Sequence, residues 1–183
     1  GDGKGGWTDS GAQDFRHVPT GRQVYAGIPF SIIDPGPGGR NSCIMLKGAQ
    51  APWLPAEVTG IPVERKLQRL FILHTAWYLK TGQALADYVV RYADGATTNI
   101  PVVGGDNIGD WYAPADQRNA IAAWSGRHPV VNAPFGFYMA CWENPRPDQA
   151  IASLDLLSRG LSTPIVLALT GQDDREYARD ELG

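Results

Sequence analysis

The chain has 183 residues, 43% hydrophobic and 19% charged, which suffices for one sizeable core and falls short of what usually splits into two. A formal net charge of -3, a pI near 5.5 and scattered Lys and Arg give no clustered basic surface of the kind that binds nucleic acid. No apolar run approaches the roughly 18 residues of a membrane span, so neither nucleic acid nor membrane is an expected partner.

In chain order, the first residues, "GDGKGGWTD", do not read as a signal peptide. The expectation is a mature fragment, or a piece cut from a longer chain, with residues 1–15 forming an N-terminal arm. Turn signals and short alternating runs then dominate, with 22 Gly and 14 Pro between segments of about five to eight residues. Strands are expected at 23–27, 29–33, 42–48, 58–63, 67–75, 84–93, 97–103, 119–125, 135–143, 149–157 and 164–170. In "ADGA", Asp94-Gly95 between two alternating runs signals a tight hairpin. Residues 172–183, "QDDREYARDELG" from position 172 onward, form a charged C-terminal tail to which no function is given. The reading is one all-β domain over 1–183, an antiparallel β-sandwich.

Cys43 and Cys141 each sit inside an apolar run and read as buried free thiols. The alternative is a disulfide between the strands, which would imply an oxidising compartment. Neither a Cys-x-x-Cys pair nor a histidine spacing suggests zinc. Calcium is the one metal with a candidate loop: "GWTDSGAQD" offers Asp9, Asp14 and Ser10, although it lacks the alternating acids of a dedicated calcium loop.

If successive strands alternate in direction, as in most sandwiches, the loops 75–83, 104–118 and 144–149 leave one end together. That end would gather His74, Trp77, Tyr78, Asp106, Asn107, Asp110, Trp111, Tyr112, Glu143, Asn144 and Arg146, with the Asp94-Gly95 turn and "GRHPVVNAP" opposite. Sugars offer weakly apolar C–H faces and hydroxyl edges, so flat rings beside amide, carboxylate and guanidinium groups suit them. Trp77, Tyr78, Trp111 and Tyr112 are the candidate rings, and Asp106, Asn107, Asp110 and Arg146 the candidate hydrogen-bonding groups. Each has a plainer reading. A tryptophan at a sandwich corner often packs under its loop, and His74, closing "LFILH", reads as a satisfied core histidine. Trp124 and Trp142 read as core, and Trp7 and Trp53 as plugs that fix surface segments, with an outlying aromatic contact as the alternative for Trp53. Catalysis by two carboxylates would have to draw on Asp106, Asp110 and Glu143, and nothing in their spacing demands it.

The phrases "FRHVPTGRQVYAGIPFSIIDP", "SCIMLKG", "IPVERKLQRLFILHTAWY", "ADYVVRYADGATTNIPVVGGDNIGDWY" and "WENPRPDQAIASLDLLS" together resemble the accessory β-sandwich modules attached to bacterial glycoside hydrolases. The resemblance runs from about residue 7 to 171, and its most specific features are "GIPF", "LHTA", "YADG" followed by "IGDW", and "WENP". It implies a galactose-binding-like jelly roll, non-catalytic and secreted to an extracellular or periplasmic location. It further implies an often calcium-bearing domain that binds polysaccharide or oligosaccharide, or supports a catalytic domain of the same polypeptide. The rival expectations are a structural accessory sandwich with no ligand of its own and a small hydrolase or lyase.

Overall fold

The structure is a computed structural model that describes residues 15, 17–34, 36, 41–128 and 132–173. The described residues form no helix and eleven strands: β1 Gly21–Tyr25, β2 Ile28–Ile32, β3 Ile44–Met45, β4 Glu57–Arg65, β5 Arg69–Trp77, β6 Ala84–Tyr92, β7 Thr97–Val103, β8 Ala120–Arg127, β9 Pro134–Glu143, β10 Ile151–Ser158 and β11 Thr163–Gln172. Every expected strand is present, with β3 reduced to two residues. The strands pair antiparallel throughout, as a four-stranded sheet β4-β10-β6-β7, a five-stranded sheet β3-β11-β5-β9-β8 and a separate β1-β2 hairpin.

Burial explains which strands alternate and which do not. The two sheets face each other across a core containing Leu70, Ile72, Tyr88, Val90, Leu154 and Leu156. A second core on the far side of the five-stranded sheet joins Phe71, Leu73, Phe137 and Leu167 to Phe15, Tyr25 and Phe30. The hairpin caps that face, with the Tyr25 ring edge-on to Phe137 at 5.5 Å and the Thr170 hydroxyl donating to the Pro29 carbonyl at 2.6 Å. The central strand β5 is therefore buried on both faces, which is why "LFILHTA" reads as a continuous apolar run. At the outer edge, β4 is buried on neither face completely.

Local chemistry sets the turns. Ala26 and Gly27 both have positive φ, 48° and 79°, as a two-residue hairpin turn matched to strand twist requires. After β6, the Gly95 amide donates to the Tyr92 carbonyl at 3.0 Å with Gly95 at φ 87°. The Asp94-Gly95 hairpin is thus a type I turn closed by a glycine bulge rather than a two-residue loop.

Strand direction departs from the expectation at one connection. β7 lies in one sheet and β8 in the other, and residues 104–119 cross between them instead of forming a hairpin. Consequently β8 runs parallel in sense to β5, and β9 returns so that Glu143 pairs with Arg69 and Tyr138 with His74. The loop 144–149 leaves at the lower end, beside the Asp94-Gly95 turn, and not with loops 78–83 and 104–112 at the upper end, where β5 finishes. The Arg127–Pro134 pairing, expected at the lower end, lies at the upper one.

Cys43 and Cys141 are free: Cys43 is half-buried, with burial pushing its thiol up to about 12, and Cys141 is exposed. Trp7, Asp9 and Asp14, with the calcium loop expected there, lie outside the described residues, as does the tail beyond 173.

Candidate functional site

The upper end is built around the last residues of β5. Trp77 still follows the strand and turns its ring toward the second core. Tyr78 breaks it with φ 57°, a left-handed conformation that a tyrosine adopts at a cost of roughly 1–2 kcal/mol. The reversal lets two neighbouring rings share one side, where an extended chain would send them to opposite faces. They stack at 5.1 Å between centroids and 25° between planes, with Tyr78 50% exposed.

The strained residue is held from both sides. Ser162, buried, donates its hydroxyl to the Tyr78 carbonyl at 2.9 Å and accepts from the Lys80 amide at 3.0 Å. Asp110 accepts from the Leu79 amide through Oδ2 at 3.1 Å and from the Tyr112 amide through Oδ1 at 2.9 Å. Both carboxylate oxygens are thus committed to backbone, and Asp110 positions the loop that carries Tyr78.

Trp53 takes the second of its two expected roles, an outlying ring rather than a plug. It is 63% exposed in the 46–56 connection, which joins the same end because the Ala49 amide donates to the Leu161 carbonyl at 3.2 Å. Two prolines flanking it, in "APWLP", gave the signal of a stiff segment that fixes a ring in place. Lys47 and Lys80 are exposed in the two loops concerned, and neither makes an ion pair with a described residue.

Several expected contacts belong to architecture instead. Trp111 is 4% exposed and packs on Phe15 at 5.0 Å and on Phe135 at 6.4 Å, so it has no face for a ligand. Its amide donates to the Ala76 carbonyl and its carbonyl accepts from Gly136, which ties it between β5 and β9. Tyr112, half-buried, sits edge-on to Trp111 at 4.4 Å. Within "IGDW", Ile108 is fully buried, and a Cβ on Gly109 would run into the Tyr138 ring, whose hydroxyl donates to the Asp110 carbonyl at 2.8 Å. The motif docks the crossover onto the end of β5. Asn107 spends both side-chain groups on the end of β7, accepting from the Val103 amide and donating to the Pro101 carbonyl.

Arg146 is the clearest correction. It stands at the lower end, where Nη2 meets Asp94 Oδ2 at 2.6 Å and the guanidinium lies 4.7 Å over the Tyr92 ring. Glu143 and Asn144 are at that end too. Glu143 pairs with Arg69 at 3.4 Å, while Asn144 takes the Tyr92 hydroxyl at 2.5 Å and donates to the Leu67 carbonyl at 2.8 Å. Asp106, Asp110 and Glu143 therefore do not converge on one cleft.

His74 is 1% exposed and fully bonded. Nε2 lies 2.8 Å from the Asn107 carbonyl, which can only accept, so Nε2 carries the proton and Nδ1, at 3.3 Å, takes the Tyr88 hydroxyl. Burial lowers its pKa to about 4, against the smaller opposing effect of the Asn107 bond.

The outer face of the four-stranded sheet offers no stacking surface. The rings in those strands, Tyr88 and Tyr92, point into the core, and the exposed side carries the ion pairs Arg91–Asp155 at 2.5 Å and Arg159–Asp87 at 2.7 Å. Among the described residues no group of three or more His, Cys, Asp or Glu is placed to hold a metal ion.

Comparison of the chain with protein-family models and with curated proteins returned no match. The functional reading accordingly rests on geometry and on the motifs quoted above.

Proposed function

We propose that this chain is a non-catalytic carbohydrate-binding module, a galactose-binding-like jelly roll, that tethers a linked polysaccharide-degrading domain to its glycan. The observation that carries the reading is the Trp77–Tyr78 pair, a flat ring half in water and locked by a strained backbone. Strain of this kind persists where surrounding structure over-determines it, and such places cluster at binding sites. An exposed aromatic plane buries a sugar's C–H face at small entropic cost. Trp53 extends the apolar surface along the same end, while Lys47 and Lys80 supply hydrogen-bond donors for hydroxyl or carboxylate groups.

A site of this shape is shallow, so its affinity is modest. Function follows from tethering, which converts weak binding into a high local concentration of the attached enzyme. In this reading the protein is secreted, its partners are a polysaccharide or oligosaccharide and a catalytic domain of the same polypeptide, and any calcium is structural.

A second reading, an accessory sandwich whose exposed rings meet a neighbouring domain, draws support from Trp111, Asp110 and Asn107, all committed to internal contacts. Retention on a panel of soluble and insoluble polysaccharides separates the two. Binding to one glycan class, lost in folded Tyr78→Ala and weakened in Trp53→Ala, supports the module. Absence of retention on every glycan, with both variants folded, supports the accessory sandwich.

A further inference from the structure

A second concavity lies away from the platform, along the side of the sandwich. β8 begins at Ala120, opposite Ala140, so β9 residues 141–143 have no neighbouring strand on that side. In the facing sheet β7 is itself the edge. The crossover bridges this open flank only through Asp106, Asn107 and Asn119, leaving a cleft of about 290 Å³.

Its chemistry is divided. Ile72, Tyr88 and Ile100 give an apolar floor drawn from the core, and the half-buried Trp142 adds an indole. The rim is rich in acceptors. Asp106 Oδ1 takes the Asn119 side-chain amide at 3.0 Å, and the Asn119 backbone amide donates to the Asp106 carbonyl at 2.8 Å, so the two side chains form one braced unit. That leaves Asp106 Oδ2 and Asn119 Oδ1 with no hydrogen bond from a described residue, while the exposed Arg118 guanidinium stands 3.9 Å from Asp106 Oδ1.

An apolar floor with a few convergent polar groups is the ordinary make-up of a small-molecule site, and this volume stands just below the usual range of roughly 300–1,000 Å³. It therefore admits one ring and not a chain. Adjacent acceptors on Asp106 and Asn119 ask for a ligand with adjacent donors, and the indole asks for a C–H face. The geometry points to a second binding site in this flank cleft for a single pyranose unit, such as the terminal or branch residue of a glycan. The upper platform plays no part in it.

The test is ¹H–¹⁵N NMR of the whole chain titrated with free monosaccharides: glucose, galactose, xylose, fucose, rhamnose and glucuronic acid. One of them should shift the Trp142 indole N–H and the Asn119 amide signals saturably, in wild type and in Tyr78→Ala alike. Asp106→Ala and Asn119→Ala, each with an unchanged fold by its spectrum, should weaken that binding about tenfold or more, the loss expected when one partner of a charged or shared hydrogen bond is removed. The inference is overturned if no sugar shifts these signals, or if the shifts survive both variants. It is also overturned if tetramethylammonium occupies the cleft where no sugar does. Loss of glycan retention in Tyr78→Ala bears on the platform alone, so the two sites fail separately.

Discussion

His74 shows how a residue that looks chemically active can be wholly structural. Its two nitrogens bridge the crossover at Asn107 to the facing sheet at Tyr88, and neither reaches solvent. In the unfolded chain the imidazole takes a proton near the ordinary 6.5, while in the folded protein burial delays this to about 4. Between those values the unfolded state binds more protons, so stability falls as pH drops from 6.5 toward 4 and is unaffected by this group above 6.5. The loss is on the order of 3 kcal/mol at its full extent. Asp87 and Asp94, both held below the usual carboxylate range by hydrogen bonds from Arg159 and Arg146, lose their contributions only at still lower pH. Urea midpoints measured across pH 4 to 7 should decline through the upper window, and His74→Gln, which keeps a donor and an acceptor, should flatten that decline. An unchanged slope in the variant would assign it to other groups.

Among elements, the crossover between β7 and β8 governs most of what differs from the sequence reading. Asp110 joins it to the loop after β5, so Asp110→Ala leaves the Leu79 and Tyr112 amides without their acceptor and Tyr78 without one of its two supports. The expected outcome is a loss of about 2 kcal/mol, faster hydrogen exchange at the Leu79 amide and, under the proposed function, reduced glycan retention in a protein that still folds. Exchange at Leu79 unchanged from wild type would show that Ser162 alone holds the turn. The strands themselves were legible, because period-two alternation and Gly-Pro punctuation depend on local chain geometry. Their directions were not, because whether a 16-residue connection is a hairpin or a crossover depends on which sheet its far end joins. That single ambiguity carried Arg146 to the wrong end. Likewise "IGDW" announces a special loop in the sequence, yet only packing tells that Gly109 serves the Tyr138 ring and that Trp111 turns inward. Trp77 and Tyr78 were legible as adjacent rings, while their stacking hangs on a positive φ that no composition rule forecasts for tyrosine.

For the whole molecule, the decisive feature is that two cores share strands. Leu70, Ile72 and Ala76 of β5 face the four-stranded sheet, whereas Phe71, Leu73 and Trp77 face the hairpin side. β9 and β11 are divided in the same manner between Ala140 or Val166 on one core or its margin and Phe137 or Leu167 on the other. Melting the hairpin side would expose one face of strands whose other face still holds the sandwich together, leaving large apolar surface in water at about 25 cal/mol per Å². The two cores should therefore unfold together. Leu73→Ala, at a fully buried position on the hairpin side, should lower stability by about 3 kcal/mol. It should do so by moving one denaturant transition to lower midpoint with unchanged slope, followed equally by tryptophan fluorescence and far-ultraviolet circular dichroism. Separation of the two probes, with fluorescence changing first, would mean that the hairpin layer opens while the sandwich stays folded. Since Tyr78 stacks on Trp77, whose ring packs on the hairpin side, that outcome would also place the proposed glycan binding under the control of the weaker layer.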